Sequence, residues 1–321
     1  MKHLILFLVF SIAIQLNTNG QTCKELLLAV KKNNTSKLVD LLQDTHPNCI
    51  YDDIIQPRTP LGMAAHNGNL EIAKILIDKG ADVAYRHRND ATALMIAAQG
   101  GHYELVAYLV EKGAKVKKVL RGDGTPLLSA VKGNHPEIVR LLLEKGADPN
   151  REVIGDGNAL QLAGRYGNLE IINLLISYGG NVNKATLGDG TALIEASSSG
   201  NIGMVKALVA LKADVNKESD GDGNPLIAAA KNGHLEVVKF LVRSGAHVNV
   251  HIRGDETPLI QAAWNGHLDV VKFLIEKGAD INKTVRDRYS INSEKRNALK
   301  MARRGNHTQV VEYLLQKGAK Q

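Results

Sequence analysis

At 321 residues, with 44% hydrophobic and 23% charged side chains, the chain sits within the range of folded globular proteins, which excludes wholesale disorder and a polytopic membrane protein. Only 4% of residues are aromatic while 30 are glycine, a balance that argues against a large aromatic core and for small helices broken often by turns. The 40 basic and 33 acidic side chains leave a net +7, enough to steer anionic partners, but without the Lys/Arg run of a nucleic-acid-binding arm.

In chain order, the first segment reads as an export address. Met1-Lys2-His3 is a short positive start, Leu4 to Leu16 an apolar run, and Asn17 to Gly20 a polar stretch, the layout of a secretory signal peptide over 1–20 with cleavage before Gln21. The apolar run falls short of the roughly 20 residues that span a bilayer. Retention as an anchor, or a lipid on Cys23, are the alternatives. After it, Glu25 to Lys32 and Ser36 to Gln43 read as two helices running back on each other. The only cysteines, Cys23 and Cys49, flank this pair and form a candidate disulfide, with two free thiols as the other reading. A bridge would stabilise this end by about 3 kcal/mol.

From residue 59 one pattern recurs. Thr59, Thr92, Thr125, Asn158, Thr191, Asn224 and Thr257 follow one another at 33-residue intervals, and an eighth marker, Asn297, comes after 40. Each opens with Pro or Ala and then Leu, as in Thr59-Pro60-Leu61 and Asn158-Ala159-Leu160. The Thr or Asn oxygen caps a helix, and Pro or Ala at the next position loses no useful N–H. Alanine pairs such as Ala64-Ala65 and Ala262-Ala263 allow close approach, and a glycine ends the helix. A second helix follows with aliphatic residues at helical period, as in Ile138-Val139 and Leu141 to Leu143, closed by glycines such as Gly80 and Gly146.

Period, capping pair, alanines, glycines and endings such as Gly278-Ala279-Asp280-Ile281-Asn282 together resemble the ankyrin repeat. The resemblance implies an all-α ankyrin-repeat solenoid of helix-turn-helix units joined by hairpin loops. It divides the chain into an N-terminal capping repeat and loop (21–58), seven repeats (59–91, 92–124, 125–157, 158–190, 191–223, 224–256 and 257–296) and a C-terminal capping repeat (297–321). The closing repeat exposes Lys300, Arg303, Arg304 and Gln316, as a terminal unit requires. Two departures stand out. The slot after Thr-Pro-Leu, often His in the family, holds Gly62, Met95, Leu128, Gln161, Ile194, Ile227, Ile260 and Lys300, so apolar contact is expected to replace most polar links there. Recurrent Gly-Asp-Gly turns, such as Gly155-Asp156-Gly157, look like ankyrin proteins of bacterial envelopes.

The copy opening at Thr191 is expected to be the weakest: it carries Ser197 to Ser199, Gly203, and Lys212 where most copies have Gly. Residues 284–295 add seven and read as an exposed loop.

Two constellations read better as structure than as chemistry. Asp90, Asp123, Asp156, Asp189, Asp222 and Asp255 share one slot, but packed helices about 8–10 Å apart keep them from sharing a calcium ion bound at about 2.3–2.6 Å. His102, His135, His234, His267 and His307 alternate with Asn69, Asn168 and Asn201, which points to hydrogen bonding rather than zinc. No metal, cofactor or catalytic set is expected, so the chain reads as a non-enzyme.

For the family, the contact surface implied is a concave face of turn tips and first-helix ends. On it fall His66 and the rings of Trp264 and Tyr166, with Lys132, Arg165, Lys231, Arg121 and Arg253 surrounding them with positive charge; exposed Trp, Tyr and Arg are the types enriched in binding hot spots. The expected function is a protein-binding scaffold, monomeric, periplasmic or secreted, with an acidic protein partner, no nucleic acid and no membrane span once the leader is removed. The alternative is an accessory subunit of an envelope enzyme, or a binder of an anionic small molecule or polysaccharide.

Overall fold

In the computed structural model of the chain, residues 21–51, 59–87, 90–120, 124–186, 190–219, 221, 223–252, 256–286 and 295–320 are described. The export segment therefore lies outside the described residues. Contacts divide the chain into two compact units, Met1–Asp148 and Pro149–Gln321.

The first unit holds α1 (helical over 21–31), α2 (Thr35–Leu41), α3 (Pro60–Asn67), α4 (Leu70–Asp78), α5 (Ala93–Gly100), α6 (Tyr103–Glu111), α7 (Pro126–Lys132) and α8 (Pro136–Glu144). The second holds α9 (Ala159–Tyr166), α10 (Leu169–Ser177), α11 (Ala192–Ser198), α12 (Ile202–Ala210), α13 (Pro225–Lys231), α14 (Leu235–Arg243), α15 (Pro258–Trp264), α16 (Leu268–Glu276), β1 (Val285–Arg286), β2 (Lys295–Arg296), α17 (Ala298–Arg304) and α18 (Thr308–Gln316). Each unit is two layers, first helices packed on first helices and second on second. The fold is that of an all-α repeat stack.

Each first helix begins where its capping oxygen accepts from the amide three residues on: Thr59 Oγ1 from Gly62 N at 3.1 Å, Asn224 Oδ1 from Ile227 N at 2.9 Å. Ala64, Ala65, Ala97, Ala98, Ala229, Ala230, Ala262 and Ala263 are completely buried, which lets neighbouring first helices approach closely. Second helices bury a stripe at i, i+1 and i+4, as in Val237, Val238 and Leu241. In the slot after Thr-Pro-Leu, Met95, Leu128, Ile194, Ile227 and Ile260 are buried apolar contacts. Gln161 keeps a polar link. It closes a capping box with Asn158 and donates from Nε2 to Thr186 Oγ1 at 2.7 Å and to the Gly190 carbonyl.

The glycine-rich turns are narrow hairpins. Val153 and Gly157 exchange both backbone hydrogen bonds at 2.9 Å, and Gly155 and Gly157 take φ of 86° and 72°, values few side chains tolerate. Matching bridges close Leu120–Gly124, Thr186–Gly190 and Ser219–Gly223. At the foot of these hairpins runs an asparagine ladder. Asn150 donates to the Gly179 carbonyl at 2.8 Å and accepts from Asn181 N at 2.8 Å. Asn216 does the same with Gly245 and His247, and Asn249 with Gly278 and Asp280. Each rung satisfies a helix-ending carbonyl of the next repeat. Asp214 and Asp280 pre-set the following rungs by accepting from Asn216 N and Asn282 N.

Three features refine the sequence reading. Cys23 and Cys49 are bridged, with Cα atoms 5.8 Å apart. The insertion is not a loop throughout: Val285 pairs with Arg296 and Arg286 with Lys295, and the expected loop residues 287–294 lie outside the described residues. Beside this ladder Arg296 Nε meets Glu256 at 2.9 Å, a carboxylate only 2% exposed, which ties the last repeat to the one before it. Among the described residues no helix is long and apolar enough to cross a membrane.

The Thr191 copy carries two local faults. Lys212 sits at φ 68°, and Ser197, fully buried, has a hydroxyl with no hydrogen bond among the described residues. Alanine occupies the same slot at Ala65, Ala98, Ala230 and Ala263. Ser197→Ala and Lys212→Gly are each expected to stabilise by about 1 kcal/mol, read as slower hydrogen exchange over 191–216, the segment that should exchange fastest in the parent protein; no change on either substitution would refute the assignment. Cys23→Ser with Cys49→Ser should lower the stability of the α1–α2 end by about 3 kcal/mol, with exchange rising there while α15 and α16 stay protected.

Candidate functional site

A helix of seven or eight residues leaves its last carbonyls without intrahelical partners. Where the following repeat carries a histidine before its second helix, that ring claims the carbonyl at the seventh residue after the cap. His102 Nε2 lies 3.4 Å from the His66 carbonyl, His135 3.1 Å from Gln99, His234 2.9 Å from Ser198, His267 3.0 Å from Lys231 and His307 2.9 Å from Trp264. A carbonyl only accepts, so the imidazole carries its proton on Nε2. Asparagine in the same slot works differently: Asn69, Asn168 and Asn201 accept from Ile72 N, Ile171 N and Met204 N of their own helices. Thus the histidines tie repeats together while the asparagines cap, and Asn69 does both, since its Nδ2 also donates to Asn33 Oδ1 at 2.9 Å. Gly233 and Gly266 precede His234 and His267 with φ of 75° and 78°. The ring of the next repeat's histidine lies where a Cβ would project.

Among the expected contact residues, these tethers hold the backbone at His66, Lys231 and Trp264. In the first unit His66 is exposed and Lys132 half-buried. In the second, Tyr166 is 54% and Trp264 38% exposed, and Lys231 is exposed. Arg121 and Arg253 lie outside the described residues. Arg165 differs from expectation. Its Nε and Nη2 donate to Glu195 Oε2 and Oε1 at 2.9 and 3.1 Å, a two-pronged pair that neutralises the charge it was expected to offer. Glu195 was not anticipated, although a signal existed: at its slot, four after the cap, other copies carry Met63, Ile96, Ser129, Leu162, Ala228, Gln261 and Met301.

This pair defines a register in which the seventh residue of one repeat reaches the fourth of the next. At that register the slot corresponding to Glu195 holds Gln261 for Lys231 and Met301 for Trp264, neither of them a carboxylate. Lys231, Arg303 and Arg304 make no side-chain hydrogen bond or ion pair among the described residues. Among those residues, too, no three His, Cys, Asp or Glu side chains gather in a way that could hold a metal ion. Exposed aromatic rings thus stand on these helix ends beside Lys231, a cation that no described side chain compensates.

The fold and this face define a helical repeat protein. Residues 26–120, 127–219 and 193–285 match the family described as Ankyrin repeats (3 copies), and 265–315 match Ankyrin repeats (many copies). The chain belongs to the ankyrin repeat family. It is also similar to the mouse and rat forms of Ankyrin repeat and SAM domain-containing protein 6, at 39% and 37% identity over 75 residues. That stretch is 23% of this chain and 8% of each relative, so the chain matches less than a tenth of the curated relatives' length. Ankyrin repeats generally mediate protein–protein interaction.

Because the imidazole of His267 anchors the last turn of α13, His267→Ala is expected to cost about 1 kcal/mol and to speed amide exchange at the C-terminal end of α13. Equal exchange in both proteins would show the tether to be idle.

Proposed function

We propose that this chain is an exported, non-catalytic scaffold that binds an acidic protein partner on the first-helix ends around Tyr166, Lys231 and Trp264. The observation that carries the reading is the combination of exposed Trp264 and Tyr166 with cations that nothing else among the described residues neutralises. Large rigid rings and positive charges on a pre-set backbone bind with little ordering cost. Export is supported by the Met1 to Gly20 leader pattern and by the bridge that takes up both cysteines of the chain, a pairing favoured in oxidising compartments. The periplasm of a bacterial envelope is the proposed destination, supported by the resemblance of the Gly-Asp-Gly turns to envelope ankyrin proteins.

The test is capture from a native envelope extract with the exported form as bait. The double variant Tyr166→Ala with Trp264→Ala should lose at least about tenfold of the captured protein, as removal of two hot-spot rings implies, while helicity and melting temperature stay unchanged. Undiminished capture would reject the face.

A further inference from the structure

Resting on the reading of the chain as a protein-binding scaffold, we propose that the ends of α13, α15 and α17 receive an acidic segment in the polyproline II conformation. One carboxylate sits at Lys231, an apolar side chain three residues on lies against Trp264, and a second carboxylate three further sits at Arg303 and Arg304.

The row itself is fixed by the fold. Lys231, Trp264 and Arg304 each stand seven residues after a cap, at Asn224, Thr257 and Asn297, and α13, α15 and α17 pack in that order. The insertion before α17 does not break the row. His307 still meets the Trp264 carbonyl at 2.9 Å across 43 residues, as His267 meets Lys231 at 3.0 Å across 36.

Charge decides what kind of partner fits. The Arg165–Glu195 clasp shows how this register takes a carboxylate, and it is closed from within the chain. At Lys231 the corresponding position is Gln261, buried and neutral, with a side chain that makes no hydrogen bond among the described residues. No carboxylate among the described residues therefore meets Lys231, which leaves its charge open to one from another molecule. Under Trp264 the corresponding residue is the buried Met301, which suits an apolar group. Upstream of Lys231 the row turns neutral at Ser198 and Ser199. The positive stretch thus covers about three helix widths, roughly 20–30 Å, too short to track a nucleic-acid backbone.

Spacing decides the conformation. Packed helices lie about 8–10 Å apart. A polyproline II segment turns every three residues with a rise of about 3.1 Å each, which brings like-facing side chains about 9 Å apart. A β-strand repeats its facing side chains at about 6.6 Å and falls out of step by the second repeat.

The probe is the peptide Asp-Pro-Pro-Leu-Pro-Pro-Asp, titrated into the full exported chain. Trp264 is the only tryptophan, so its fluorescence reports the site directly. A saturable shift is expected, with affinity about tenfold weaker in Lys231→Ala and in Arg304→Ala and unchanged in Arg165→Ala. Calorimetry on Trp264→Ala should detect no binding. The charge-reversed pair Lys231→Glu with Arg304→Glu should bind Lys-Pro-Pro-Leu-Pro-Pro-Lys instead, a gain that a misfolded variant would not show. Equal binding of a peptide with its acids two residues from the leucine, indifference to Lys231→Ala, or a stronger response to oligothymidylate would each overturn the proposal. Failure of the peptide while Tyr166→Ala with Trp264→Ala still abolishes capture would sink this inference and leave the scaffold reading standing; retention of capture would sink the scaffold reading itself.

Discussion

A helix of seven to nine residues does not hold itself in water, because nucleation fixes several residues for each hydrogen bond gained. Apart from α1, every helix described here has that length, so each depends on its neighbours for both apolar cover and satisfied ends. The completely buried alanines of the first helices supply the first need: only a methyl-sized side chain lets consecutive helices come close enough to exclude water along their whole length. Dependence on adjacent units makes stability a nearest-neighbour property, so a defect in one copy is felt locally.

The second need is met by two polar tethers at opposite ends of the repeat. On one side, imidazoles reach back to the last-turn carbonyls of the preceding first helix. On the other, asparagine side chains reach forward to the helix-ending carbonyls and turn amides of the next unit. Both convert orphaned backbone groups into links between repeats, so the same hydrogen bonds that finish a helix also set the register of the stack. The proposed contact face inherits this order. Lys231 and Trp264 stand on backbone whose carbonyls are already committed, leaving their side chains free to meet a partner.

Much of this was legible along the chain. The 33-residue interval, the Thr or Asn caps, the alanine pairs and the closing glycines are local signals, each repeated often enough to be read against its copies. The strained Lys212 stood out for the same reason. Other features were written in the sequence but needed pairing to be understood. Glu195 departs from its slot, yet only its approach to Arg165 shows that it cancels a charge counted as available to a partner. Glu256 and Arg296 stand where five of the other six copies have glycine or alanine, and their buried ion pair explains both substitutions at once. The bridge between Cys23 and Cys49 was one of two open readings until the fold brought the two residues together.

The repeating unit can be read off the chain alone, since capping, helical period and the left-handed turns are set by residues within a few positions of one another. Tertiary structure alone decided which polar groups answer each other across repeats: His267 with Lys231, Asn216 with Gly245, Arg165 with Glu195. Such partners lie about thirty residues apart, and their meeting depends on how closely two alanine-lined helices settle, a distance set by packing and carried by no single stretch of chain.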